Sequence, residues 1–341
     1  MKVAFIFFLI WVIAFGCSKK QETILPIEIP ELKNLAIDVV PDQSRPFVFT
    51  NKESAFFYGE TGKIRSDGHQ GLHVMAQKYL DDYIFFVNGN LLDRSKADSI
   101  KVYPDHISRF YRKDIVESIY LLDQVNCLVI EINSPDLHSF DFLPLLPISL
   151  DLKKFKSNWN RNQDLFLLIP SEPGAPKTKQ LTLGIRFDAT AQFNAKTKNF
   201  EDDAIPANRI GQFRIAKDRF RIFIAIAKDE QETTRLTDFA MNNFIRLVDE
   251  KKKRLIKLLG DCYFETNLPE LNKAFRWAVI SMDQLIMRQP AAGKSVVGIF
   301  AGLPWFNNYW GRDTFISLPG AALVRGNVHE AKEILLSFAQ F

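Results

Sequence analysis

The sequence predicts an α+β chain in which an N-terminal β-sandwich is followed by helices, and three observations predict it. Between residues 45 and 228, short apolar runs are separated by turns rich in Gly and Pro, the pattern of a sandwich. From Asp229 onward the apolar spacing changes to that of amphipathic helices. The composition, 47% hydrophobic and 25% charged over 341 residues, is enough for a sizeable core and two domains.

The chain begins with Lys2 and an apolar run from Val3 to Phe15, followed by Gly16, Cys17, Ser18 and two lysines. A short charged start, a hydrophobic stretch and a small residue before the cut resemble a bacterial lipoprotein signal. Gly16 and Cys17 fit the lipobox, whereas Ala14 and Phe15 occupy the places usually held by a branched aliphatic and a small residue. The competing reading is an uncleaved anchor, but 13 residues fall short of the roughly 20 needed to span a bilayer. The expectation is an exported lipoprotein, periplasm-facing or at the outer membrane, with residues 1–17 as signal and lipidated Cys17. Acyl chains on Cys17 would contact the membrane, and residues 18–44 would form a tether.

Residues 45–228 read as the sandwich. In YIFFVNGNLL, residues 83–92, Asn88 and Gly89 sit between two apolar runs and signal a hairpin. CLVIEI, DLFLLI and QLTLGIRF follow as strands, and RFRIFIAIA places Phe220, Ile222, Ile224 and Ile226 on one face. The loop PSEPGAP lies among them. Most of the thirty phenylalanines fall in such runs, which suits core packing. Glu117, Asp123 and Glu131 read as strand-edge carboxylates. His69 and His73 are four apart, but Gly68 and Gly71 favour a loop and no third ligand is in sight, so no metal is expected. Cys127 and Cys262 lack the spacing of a zinc site, and both free thiols and a mutual bond fit the sequence.

Asp229 followed by Glu232 starts a helix that runs to Leu259, where Gly260 stops it, making 229–262 a helical linker. The basic cluster Lys251 to Arg254 shares this helix with Leu247, Val248, Leu255 and Leu258. It reads as an amphipathic connector, and with a net charge of only +4 and no accompanying aromatic or glycine pattern, nucleic acid is not an expected partner. Three further helices are expected in 263–341. The first spans Leu268 to Gln289 with a stripe of Phe275, Ala278, Val279, Met282, Leu285 and Ile286. The second follows Asp313, and the third covers AKEILLSFAQF with Ile334, Leu335 and Phe338 on one face.

The stretch AGLPWFNNYWGRDT, Ala301 to Thr314, carries the densest chemistry. Trp305 and Trp310 offer flat faces on which a pyranose stacks, Arg312 brings planar donors, and Asp313 supplies a proton. A plainer reading has Asp313 capping the next helix while the tryptophans fill a core. The order Pro304, Trp305, Phe306, then Trp310, Gly311, Arg312, Asp313, Thr314, Ile316, Ser317, Leu318, Pro319 and Gly320 resembles the glucosidase domain of glycogen-debranching enzymes, the amylo-α-1,6-glucosidases. The resemblance is strongest over 267–341 and extends more weakly to about residue 45, notably in HQGLHVMAQKYLDDYIFFVNG.

That resemblance implies a β-sandwich followed by an (α/α)6 barrel, of which this chain would hold only the first helices. It implies that Asp313 is the general acid of an inverting glycosidase, that Trp305 and Trp310 frame the glucosyl subsite, and that Arg312 holds Asp313 or a sugar hydroxyl. Trp277 and Asp283 match a Trp and an Asp on the family's first barrel helix and stand as weaker, structural or pocket-lining candidates. Arg65, Asp67 and His69 are expected on a solvated loop rather than at the barrel mouth.

An inverting enzyme needs a second carboxylate roughly 6.5 to 9.5 Å away to activate water. In such barrels it comes from a late helix hairpin, and twelve helices of about 12 residues each need well over 200 residues. The expectation is therefore the front part of a longer glycosidase, with the base missing. Asp283, Glu330 and Glu333 are the local substitutes, although exposed or capping carboxylates are the commoner outcome. The implied substrate is an α-glucan or oligosaccharide, and no cofactor is needed. A non-catalytic carbohydrate-binding lipoprotein, an envelope structural protein, and a trehalase-like or glucoamylase-like enzyme are the alternatives. The oligomeric state has no signature in the sequence.

Overall fold

Alternation along the strand Arg219–Ala227 sets the layers of the molecule. Phe220, Ile222, Ile224 and Ile226 face the main core, as their spacing predicts, while Phe223 and Ala225 face a second core on the opposite side. The computed structural model describes residues 31–64, 68–75, 77–171, 181–195, 207–291 and 293–340. Cys17, Arg65 and Asp67 lie outside the described residues, as does the PSEPGAP loop from Glu172 onward.

The central layer is a nine-stranded antiparallel sheet. Its order is Ile37–Val39, Ser99–Val102, His106–Tyr111, Ile115–Leu121, Cys127–Asn133, Arg219–Ala227, Thr182–Phe187, Leu165–Pro170 and Phe155–Asn160. A six-stranded sheet built around Ser139–Leu146 and Asp82–Val87, and a four-stranded sheet over residues 46–80, close over one face. Phe47, Phe57, Phe85, Phe140, Phe142 and Phe213 meet the nine-stranded sheet there in one continuous core. The hairpin at Asn88 and Gly89 forms as expected, both residues having positive φ (50° and 86°), the combination that a two-residue turn between twisted strands requires.

Glu117 is not a strand-edge group. It lies on an interior strand, on the inward face shared with Ile115, Ile119 and Leu121. Burying a carboxylate there is tolerated because Arg109, opposite it in register, pairs with it at 3.0 Å, and Tyr111 donates to it at 2.8 Å and Tyr83 at 2.5 Å. Cys127 and Cys262 are both free thiols.

Helix α1, Glu230–Asp261, lies on the other face of the nine-stranded sheet through Ala240, Phe244, Leu247 and Val248. The Asp229 carboxylate caps it, accepting from the Glu232 N–H at 2.8 Å. Gly184 allows the close approach, since a Cβ there would come within 2.6 Å of the Thr233 methyl. Gly260 does not stop the helix, which runs one residue further.

The block after α1 differs from three helices in succession. Helix α2 is Pro269–Leu285, shorter than the expected Leu268 to Gln289, because the next residues form a strand. Ile286–Ala291, Lys294–Gly302 and Phe306–Tyr309 make a three-stranded antiparallel sheet. Pairing of Ile286 with Ile299 and of Arg288 with Val297 takes over residues whose apolar pattern would also extend a helix. Helix α3 is Gly311–Leu318, a π-helical turn follows at Pro319–Leu323, and α4 is Val328–Phe338. In α4 the buried face is Ala331, Ile334 and Ser337, and Leu335 points outward. In α2, Ala278 is exposed and Ile280 is buried instead. No closed helical barrel forms among the described residues.

Candidate functional site

The strand Phe306–Tyr309 and the N-terminus of α3 carry the aromatic motif, and the sheet beneath holds them in place. Tyr309 donates through its hydroxyl to the Met287 carbonyl at 2.7 Å and packs its ring on Phe300 at 5.5 Å. Gly298 makes room for that ring, since a Cβ would lie 2.5 Å from it. Thr314, buried, donates to the Ile299 carbonyl at 3.3 Å and ties the first turn of α3 to the central strand of this sheet.

On that support the candidate side chains are presented outward. Trp305 is 62% exposed and Trp310 is 55% exposed, so neither fills a core. Trp310 is the N-cap residue of α3 and makes no side-chain cap hydrogen bond, and Asp313 is the third residue of the helix. Asp313 therefore does not cap α3. Its carboxylate is 39% exposed at the positive end of the helix, with the Arg312 guanidinium 4.0 Å away and itself 84% exposed. Two stacking faces, a carboxyl and a guanidinium thus share one segment without consuming one another.

The other candidates lie elsewhere and are already engaged. Trp277 donates through Nε1 to the Leu35 carbonyl at 2.8 Å, pinning the short 3-10 helix Leu32–Leu35 against α1 and α2. Asp283 is buried between Arg254 (2.6 Å) and Lys52 (3.2 Å). Burial pushes its carboxyl up, but Lys52 and Arg254 together outweigh that and hold it at about 2. It is a fixed anion and not a proton carrier at neutral pH. Glu330 accepts from the Asn327 amide at 2.9 Å and lies 3.6 Å from the buried Arg325, its carboxyl pushed up by burial against the pull of Lys52. Glu333 pairs with Arg288 at 3.2 Å.

His69, at the mouth of the four-stranded sheet, stands with its ring 6.1 Å from the Trp305 ring and at 70° to it. His69 itself is exposed, as expected, and it also stands against the motif. Nothing local marks this, because the contact joins opposite ends of the chain. His73, four residues on, is in a strand, and no cluster of three or more metal-ligating side chains occurs among the described residues.

Two recesses among the described residues leave the candidate side chains out. A recess of about 570 Å³ lies on the sandwich, lined by Asn162, Arg186, Asp188 and Lys217, with no motif residue in its wall. Arg186 is paired there with Asp238 at 2.6 Å and Asp188 with Arg221 at 3.3 Å. A mostly apolar recess of about 290 Å³ borders the motif strand through Asn308 and Tyr309, but the tryptophans and Asp313 lie outside it. The motif is an open platform in this structure, and chemistry rather than cavity size points to it.

Exposed indoles, a carboxyl and a guanidinium suit a sugar ligand, and the C-terminal segment is similar to a glycoside hydrolase family. Residues 280–341 match the family described as amylo-alpha-1,6-glucosidase, a span that includes the whole motif. No curated protein matches the chain. Among solved structures, a family GH92 inverting mannosidase from Bacteroides thetaiotaomicron aligns over 78% of this chain and 40% of its own, at 11% identity and a TM-score of 0.42. A second GH92 α-mannosidase from the same organism aligns over 74% and 39%, at 11% identity and 0.41. A heparan sulfate lyase mutant from Pedobacter heparinus aligns over 54% and 35%, at 6% identity and 0.35. The chain spans about two fifths of the length of the mannosidase structures.

Proposed function

We propose that this chain is part of a glycoside hydrolase of the amylo-α-1,6-glucosidase type, which cleaves α-glucosidic bonds of an α-glucan or oligosaccharide with inversion. The observation that carries the proposal is the family match over the segment in which Asp313 and two solvent-facing tryptophans stand within nine residues of one another. In this reading a glucosyl ring stacks on Trp305 and Trp310, and Asp313 protonates the leaving oxygen. Arg312 holds the carboxyl or a sugar hydroxyl. The N-terminal position of Asp313 on α3 makes the partial positive charge of the helix part of its setting.

Inversion needs a second carboxylate to activate water on the opposite face of the ring. Asp283, Glu330 and Glu333 each have a cationic or amide partner already, so the reading assigns the base to none of them. The family's (α/α)6 barrel, in which such a base sits on a later helix, belongs to the proposal in the same way. So do export and lipid attachment at Cys17, which would place the substrate outside the cytoplasm.

The test is turnover of isomaltose and panose by the whole enzyme of which this chain is proposed to be a part, followed by proton NMR of the first-formed sugar. The reading expects β-glucose first, and a loss of about 10²- to 10⁴-fold in Asp313→Asn with sugar binding retained. Tryptophan-dependent binding of these sugars with no turnover by the whole protein would instead make it a carbohydrate-binding protein. Initial release of α-glucose would refute inversion.

A further inference from the structure

We infer that His69 of the sandwich is a substrate-positioning residue, forming a side wall to the Trp305 platform and hydrogen-bonding the rim of the sugar that stacks there. The inference rests on the glycosidase reading above and adds a residue from the other end of the chain to its sugar site. The near-perpendicular setting of the two rings, 6.1 Å apart, is what suggests it. An imidazole standing across an indole leaves most of the indole open, as its exposure shows, and brings a hydrogen-bonding ring within reach of the hydroxyls of a stacked pyranose.

A contact between two exposed side chains positions a ligand only if both are held, and here both ends are anchored to one framework. The His69 carbonyl accepts from His73 Nε2 at 3.0 Å. His73 is buried and stacks face to face on Phe56, ring centres 4.4 Å apart and planes 8° from parallel. Phe56 belongs to the same apolar cluster as Met287 and Phe300, against which Leu303 and Tyr309 pack. Leu303 and Tyr309 flank Trp305 in sequence. The chain from His69 through His73 and Phe56 to the Trp305 segment is therefore continuous, and it ties the backbone beneath both rings to one packed framework.

The experiment titrates wild type and four variants with isomaltose and with panose, following tryptophan fluorescence. Thermal melts are recorded alongside to confirm folding. Trp305→Ala should abolish most of the response. His69→Ala should weaken binding about tenfold, the size of one hydrogen bond. His69→Gln, which keeps a polar group of similar reach, should recover much of the loss, and His69→Phe should not. If His69→Ala binds like wild type while Trp305→Ala fails, the inference is wrong and the glycosidase reading survives. If His69→Phe recovers binding as well as Gln does, the ring only packs and the hydrogen bond is refuted. If wild type binds neither sugar, the glycosidase reading falls and takes this inference with it.

Discussion

His73 concentrates at one residue the cost of building the site on a sandwich loop. Its Nε2 faces the His69 carbonyl, so that nitrogen carries the proton, while Nδ1 has no hydrogen-bond partner in its buried setting. That is the pattern of a neutral imidazole. Burial pulls its pKa from the ordinary 6.5 down to about 4. Because the folded value lies below the unfolded one, the neutral ring's contribution is complete above pH 6.5 and is lost as pH falls through 4. The linked free energy is roughly 3 kcal/mol from a shift of this size. Urea unfolding of wild type should therefore weaken more steeply between pH 6.5 and 4 than unfolding of His73→Gln. Parallel pH profiles for the two proteins would show that this histidine titrates normally in the fold.

Helix α1 shows which signals act locally. Its Asp229 cap and the Asn88–Gly89 turn need only their own neighbours, and both were legible as short patterns. Replacing Asp229 with Ala should cost about 1 kcal/mol in urea unfolding, and Asp229→Ser should restore most of it, since either oxygen accepts the Glu232 N–H. An unchanged midpoint in Asp229→Ala would mean that packing on the sheet alone sets where α1 begins. The strand Ile286–Ala291 was illegible for the opposite reason. Its residues continue the apolar spacing of α2, and only the partner strand Lys294–Gly302 decides that they are extended. Leu335 was misplaced similarly, because three apolar residues near one another on α4 do not say which arc meets a neighbour. At the site, the exposure of Trp305, Trp310 and Asp313 follows from a strand running straight into a helix, whereas the approach of His69 depends on packing of the four-stranded sheet against the three-stranded sheet.

At the scale of the molecule, the decisive question is what holds the motif-bearing block to the sandwich, and a row of buried and half-buried charges supplies much of the answer. Lys251 and Arg254 of α1 pair with Asp123 of the sandwich at 3.1 and 2.6 Å, Arg254 continues to Asp283 of α2 at 2.6 Å, and Lys52 from the sandwich closes on Asp283 at 3.2 Å. Thr50 adds a hydrogen bond from its hydroxyl to the Gln284 carbonyl at 2.9 Å. What reads in sequence as a basic stripe on a connector is in part an inward-facing clamp, with Lys251 buried and donating to the Leu121 carbonyl at 2.8 Å. Removing Asp283 leaves Lys52 without its counter-charge in a largely buried setting, a loss of about 3 kcal/mol, whereas removing Lys52 leaves Asp283 only its pair with Arg254. Lys52→Met should lower the urea midpoint and make the chain near residues 262–268 more open to limited proteolysis, because that segment joins α1 to α2. Asp283→Leu should cost at least as much, since it strands Lys52 and part of Arg254. The double variant should then cost less than the sum of the two, because both members of the Lys52–Asp283 pair are removed together. Additive losses in that cycle would mean that the apolar contacts of Phe56, Met287 and Phe300 hold the junction and that the charges only tolerate it.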